Sequence, residues 1–212
     1  MFGVDEAGKG PALGSMFAAA VAVPEESVLP DDMGDSKGIA PARRRELADR
    51  LRADDRVRVG VAEVPTDRID DPGTDMNGLT VAAQAEALGR VVREGESGMV
   101  DAGDVNADRF GRRVADRVSV DVTVRAEHGA DESHPVVGAA SVVAKVERDA
   151  HVAELAEEYG DVGSGYPSDP ATREFIREYV RDHGDLPDCA RTSWSTCEDA
   201  LAAADQSALG DF

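Results

Sequence analysis

The chain opens on two apolar runs, Met1 to Asp5 and Ser15 to Val23, separated by AGKGPALG, a segment holding three glycines and one proline. Strand-forming residues on both sides of so breaker-rich a connection predict two strands folded back as a hairpin. A sheet is thus committed from the first residues, and the rest of the chain must cover it. Beyond Val23, helical and strand patterns alternate. The spacing predicts a helix over Pro41 to Ala53, a strand of alternating apolar residues over Val57 to Val64, and an alanine-rich helix capped by Asn77 and running to about Val92. Gly98 to Val100 reads as a short strand, Asn106 to Arg117 as a helix, and Val118 to Ala126 as a strand alternating valine with polar residues. Pro135 starts a long helix to about Tyr159, and two more helices are expected at about Pro170 to Asp182 and Ser195 to Asp205. Strands interleaved with helices imply a layered α/β fold, a mixed sheet flanked by helices with a helical C-terminal extension. The expected division is 1–160 for the sheet domain and 161–212 for the extension.

The 212 residues suffice for a real core and fit one domain, or one with a small appendage, so a monomeric enzyme is expected. The longest apolar stretch, Met16 to Val23, falls well short of the roughly 20 residues of a membrane span, and no basic segment precedes it. The chain is therefore expected to be soluble and cytoplasmic. Cys189 and Cys197 form no CxxC pair and have no histidine at zinc-ligand spacing, so they are expected to be reduced and structural at most. Charge points away from nucleic acid: 43 acidic against 23 basic residues leave a net charge of −20, the reverse of a basic binding footprint. The acids are spread along the chain, as in AELAEEYGD, and only Lys9, Lys37 and Lys145 are lysines. That combination fits a salt-rich cytoplasm, where counterions screen charge within about 3 Å at 1 M. The charge then reports the solvent rather than the ligand, and folding and activity are expected to need molar salt.

Chemistry is carried by carboxylates. Asp5 and Glu6 end the first strand, Asp101 ends the strand Gly-Met-Val-Asp, and Asp131 follows the strand ending near Ala126. Acids at the strand ends of an α/β sheet stand where sites form. Gathered on one edge they would repel one another unless a divalent cation neutralised them, and hard oxygen ligands select Mg²⁺ or Mn²⁺. Such a site supports two-metal phosphodiester cleavage, one ion activating water and the other stabilising the leaving oxygen. Forty-three acids also offer many chance patterns, so the acids alone leave catalysis and a solvated face equally open.

At VDEAGKGP, residues 4 to 11, the chain resembles the opening motif of type 2 ribonuclease H. GDSKGI at 34 to 39, VDAGDVN at 100 to 106, AEHGADESHPVVGAASVVAKVERD at 126 to 149, GSGYPSDP and RTSWST are similar to the family's later segments, in its order. The resemblance spans Val4 to Thr196, and the composition fits an archaeal member from an extreme halophile. It implies a ribonuclease H-like sheet and endonucleolytic cleavage of RNA in RNA–DNA hybrids, including single ribonucleotides embedded in duplex DNA. Asp5, Glu6, Asp101 and Asp131 match the family's four metal-binding acids. Gly8, Lys9 and Gly10 match its G-R/K-G loop, and Tyr166 matches the tyrosine that reads the junction between ribo- and deoxyribonucleotide. The residue types suit these roles. Glycines let backbone groups approach a ribose 2′-hydroxyl, Lys9 can pair with a phosphate, and Tyr166 can stack on a deoxyribose. Taken without its flanking acids, AGKGP reads first as a tight hairpin turn. Lysine in the loop, where many relatives carry arginine, cannot make a bidentate fork.

Ser36, Lys37, Lys145 and Arg148 are further candidate phosphate contacts. Lys145 and Arg148 share a helix face, and the alternative for them is pairing with Glu147 or Asp149. His128 and His134 flank Asp131, either to move a proton or to pack the loop. Arg191, Ser193 and Trp194 are placed either against substrate or as an anchor into the core. Another metal nuclease, such as a DNA-directed exonuclease, would carry similar acids without needing the glycine loop or Tyr166. A non-catalytic acidic module binding cations or a basic partner is the reading from outside enzymology. A replication partner is left open.

Overall fold

The computed structural model describes residues 1–30, 33 and 38–210, and these divide into two compact units. The first comprises Met1–Lys9, Met16–Val64 and Asp75–Asp149; the second comprises Gly10–Ser15, Pro65–Thr74 and the chain from Ala150 onward.

The first unit is built on a five-stranded sheet. Strands β1 (Phe2–Ala7) and β2 (Met16–Ala22) form the expected antiparallel pair, and β3 (Arg58–Val64) extends it antiparallel to β2. On the other side β4 (Ser97–Asp101) runs parallel to β1, and β5 (Thr123–Glu127) parallel to β4, giving the order β3-β2-β1-β4-β5. The helices are α1 (Pro41–Ala53), α2 (Thr66–Ile69), α3 (Met76–Gly89), α4 (Ala107–Ala115), α5 (Ala130–Ser133), α6 (Pro135–Tyr159), α7 (Pro170–His183) and α8 (Ser195–Gly210). This is the mixed sheet flanked by helices that the alternating pattern predicts.

All seven residues of β2 are buried, and four are alanines, because helices pack close over both faces of the sheet. One core joins Ala19 and Val21 of β2 and Met99 of β4 to Leu47 and Leu51 of α1 and to Val136, Val137, Ala140 and Val143 of α6. On β1, Gly3 lies directly beneath α6: a Cβ there would stand 2.4 Å from the backbone carbonyl of Val136. Only a residue without a side chain admits so close an approach.

Three local expectations are corrected. The cap of α3 is Asp75, whose carboxylate accepts from the Gly78 amide, while Asn77 lies inside the helix and its side chain accepts from Lys9. β5 starts at Thr123 rather than Val118, since its partner β4 offers five residues to pair with and Val118 to Val122 have none. The short helices α2 and α5 lie in segments to which the sequence pattern assigns no element.

The second unit has its own core of Leu13, Leu155, Val162, Ile176, Val180, Cys189 and Cys197. Tyr159, Phe175 and Tyr179 meet edge-on or tilted with ring centres 6.0–6.1 Å apart, within the favourable range for aromatic pairs. Among the described residues no helix is long and apolar enough to cross a membrane.

Candidate active site

Adjacent residues of a strand face opposite sides of its sheet, and the first unit uses this to give Asp5 and Glu6 different supports. Asp5 accepts from the Ser141 hydroxyl on α6 and from the Glu6 amide at 2.7 Å. Glu6 points the other way and accepts from the side-chain amide of Gln84 on α3 at 2.6 Å. Asp101, at the end of β4, accepts at 2.7 Å from the Ala130 amide, the first residue of α5. Asp131 is the next residue of that helix and is buried. Four acids from three distant segments therefore meet within one unit.

Their charges act on one another. The Asp5 carboxyl is pushed well above the usual carboxylate range, first by burial and then by Glu6 and Asp101, against the pull of the Ser141 hydrogen bond. Glu6 is raised to about 7 by burial, with Asp101 and Asp131 raising it further while the Gln84 hydrogen bond and the Lys9 ammonium oppose the rise. Buried carboxylates that raise one another's pKa are a site short of positive charge. An all-oxygen donor set with that deficit fits a hard divalent cation. Among the described residues no three acids, histidines or cysteines are drawn into a ready coordination shell. The hydrogen bonds from Ser141, Gln84 and Ala130 hold the carboxylates individually.

The glycine loop divides between the units. Gly8, at φ 85°, takes the left-handed conformation that favours glycine. In the first unit the Lys9 ammonium is hydrogen-bonded to the Asn77 side chain and the Gly103 carbonyl, which ties the base expected to meet a phosphate to the acidic cluster. In the second unit a Cβ on Gly10 would lie 3.7 Å from Cε1 of Tyr166, whose side chain is one of the few large apolar ones left exposed. The loop's backbone is pinned there. Trp194 donates its indole N–H to the Gly10 carbonyl at 3.2 Å, Arg191 donates Nε to Gly14 at 2.9 Å, and Ala12 donates to Gly165 beside Tyr166 at 2.8 Å. Arg191 is fully buried, with its guanidinium 5.0 Å above the Trp194 ring. Asp70 fastens the same stretch by accepting from the Thr192 and Ser193 amides and the Ser193 hydroxyl. Arg191 and Trp194 thus anchor the loop from inside the second unit.

The remaining candidates fall variously. Ser36 and Lys37 lie outside the described residues. Lys145 is half-buried, whereas Arg148 is only 5% exposed. The acids beside them pair elsewhere, Glu147 with Arg52 and Asp149 with Arg44, both on α1. His128 pairs with the Asp104 carbonyl and His134 with the Glu127 carboxylate. Cys189 and Cys197 are free and buried, and burial pushes their thiols up to about 12 and about 11. Sequence reasoning missed Gln84, the fully buried holder of Glu6. Its signal was a lone amide on the apolar face that Thr80, Leu88 and Ala87 mark out on α3.

Comparison with known proteins gives these residues a setting. The family model described as Ribonuclease HII matches residues 2–197. Ribonuclease HII of Halobacterium salinarum is 66% identical over 212 residues, covering 100% of this chain and 99% of that protein. Among solved structures, the ribonuclease H2 of Pyrococcus horikoshii is similar at a TM-score of 0.88 and 34% identity, covering 97% of this chain and 98% of that one. The ribonuclease HII of Archaeoglobus fulgidus, solved in a complex with PCNA, is similar at a TM-score of 0.83 and 37% identity, covering 94% and 95%.

Proposed function

Since the chain belongs to the ribonuclease HII family and is a ribonuclease H enzyme, we propose that it is an endonuclease that hydrolyses the RNA strand of RNA–DNA hybrids and cuts 5′ to ribonucleotides embedded in duplex DNA. The observation that carries this reading is the convergence of Asp5, Glu6, Asp101 and Asp131, each carboxylate buried or half-buried and acting on its neighbours. The four acids would hold a pair of Mg²⁺ or Mn²⁺ ions, which when bound supply Lewis acidity toward the attacking water and the leaving oxygen. The chain's own residues do the rest. Ser141, Gln84 and the Ala130 amide orient the carboxylates, and Lys9 offsets part of their charge.

Recognition falls to the loop and its tyrosine. Gly8 and Gly10 carry no side chain, which lets a 2′-hydroxyl, the group by which a protein tells RNA from DNA, come close to the loop backbone. Tyr166 offers an exposed ring for the sugar on the far side of the junction. Residues 161–212 serve as a substrate-binding extension, with Lys145, Ser36 and Lys37 as further phosphate contacts, while the burial of Arg148 speaks against that role for it. By likeness to the Archaeoglobus fulgidus protein, PCNA is the partner to test first.

The test uses a DNA duplex with one embedded ribonucleotide and its all-DNA counterpart, each with Mg²⁺ or Mn²⁺. Cleavage 5′ to the ribonucleotide, with the all-DNA duplex intact, is the expected result. Equal cutting of both duplexes would point to a DNA-directed nuclease of the same fold and overturn the reading. The same assay across salt concentrations addresses the −20 charge. Activity and folding are expected to rise toward molar salt, and full activity with full stability in dilute buffer would refute a halophilic adaptation.

A further inference from the structure

Gln84 stands out among the buried polar side chains of the first unit. It is fully buried in an alanine-rich helix, and its single amide nitrogen serves two parts of the acidic cluster: Nε2 donates to Oε2 of Glu6 at 2.6 Å and to the main-chain carbonyl of Asp101 at 2.9 Å. The Asp101 carbonyl accepts only, and so does Glu6 once ionised, so turning the amide over would set its own oxygen against them. Held in that orientation, the other end of the amide, Oε1, is buried with no hydrogen-bond partner. An unsatisfied buried acceptor destabilises a fold, and a position that served packing alone would be filled better by leucine or methionine. The two donated hydrogen bonds are what the residue provides.

We infer that Gln84 is a positioning residue for the metal site, fixing the Glu6 carboxylate and the end of β4 at Asp101 so that two acids from different strands are presented to a divalent cation together. The inference rests on the proposed assignment of the four acids as cation ligands. Glu6 reaches the site from β1 and Asp101 from β4, and Gln84 on α3 bonds to both residues. Groups that orient metal ligands in this way typically change metal affinity by about 10- to 100-fold when removed.

The experiment is calorimetric titration of Mn²⁺ into the metal-free full-length protein at molar KCl, for the wild type, Gln84→Met, Gln84→Glu and Asp101→Asn, with folding of each checked by circular dichroism. Gln84→Met keeps the shape and removes both donated bonds, and it is expected to weaken Mn²⁺ binding about tenfold or more. Gln84→Glu is nearly isosteric and sets a second carboxylate against Glu6, so it should weaken binding through misplacement even if the methionine variant does not fold. Asp101→Asn should abolish binding at the cluster. If Asp101→Asn loses Mn²⁺ while a folded Gln84 variant binds it as tightly as the wild type, the role of Gln84 is overturned and the acid site stands. If Asp101→Asn binds Mn²⁺ like the wild type, the acid site itself fails, and the inference with it. A residue with a merely structural role would shift the melting temperature and leave the Mn²⁺ dissociation constant unchanged.

Discussion

The two units solve opposite problems with the same materials. The first gathers negative charge and holds it under tension: four acids whose burial and mutual repulsion push Asp5 and Glu6 upward, restrained by Ser141, Gln84 and Lys9. The second gathers backbone. Its key contacts run from Trp194, Arg191 and Ala12 to main-chain carbonyls, and its buried thiols are held protonated. A charged cluster is tunable by protons and cations, whereas a backbone scaffold is tunable only by packing. On the proposed function, the chemistry belongs to the first unit and the Tyr166 part of recognition to the second.

The sharpest way to break that assignment is Asp101→Asn. The asparagine oxygen can still accept from Ala130, so folding should persist while cleavage falls at least a hundredfold, as expected when several kcal/mol of metal-supplied stabilisation is lost. Retained activity with Mg²⁺ or Mn²⁺ would remove the chemistry from the first unit. Next comes Arg191→Met, which deletes the buried bond to Gly14 and the contact with Trp194. Urea unfolding should show a loss of about 2–3 kcal/mol, the range for hydrogen bonds to charged groups. An unchanged midpoint would mean that the backbone scaffold does not depend on this arginine.

Tyr166→Ala is expected to cost less than about 0.5 kcal/mol of stability, as for an exposed residue, yet to lower kcat/KM on the embedded-ribonucleotide duplex about tenfold, in line with the ~1–3 kcal/mol of aromatic stacking. Equal kinetics would remove the recognition role. A pH dependence tests the charged cluster itself. Because the folded state holds the Glu6 proton up to about 7 rather than 4.5, ionising Glu6 costs stability that is absent below pH 4.5 and fully felt above about 7. Glu6→Gln should therefore gain stability over the wild type as pH rises through this window in metal-free buffer. A pH-independent difference in melting temperature would contradict the assigned shift.

Much of this is legible in the chain. The hairpin, the bounds of α1 and α6, and the four acids can be read from local pattern and motif, because alternation, prolines at helix starts and strand-end carboxylates are local signals. The features that escape depend on distant neighbours. Val118 to Val122 alternate as a strand should, yet β5 begins later because β4 is short. Asn77 has the residue type of a cap, but Asp75 caps the helix while Asn77 turns to Lys9. Gln84 becomes functional only when the folded sheet sets it against Glu6 and Asp101. Arg148 reads as a surface base and is buried.

Gly3 has a reach beyond its own packing. Any side chain at that position must displace the first turn of α6, and the same helix carries the Ser141 hydroxyl that restrains Asp5. Residue 3 is thus a place where a single added methyl group, remote from every acid in sequence terms except its near neighbours on β1, would retune the electrostatics of the cluster. For drift or for design, the foundation of this site includes an atom that is not there.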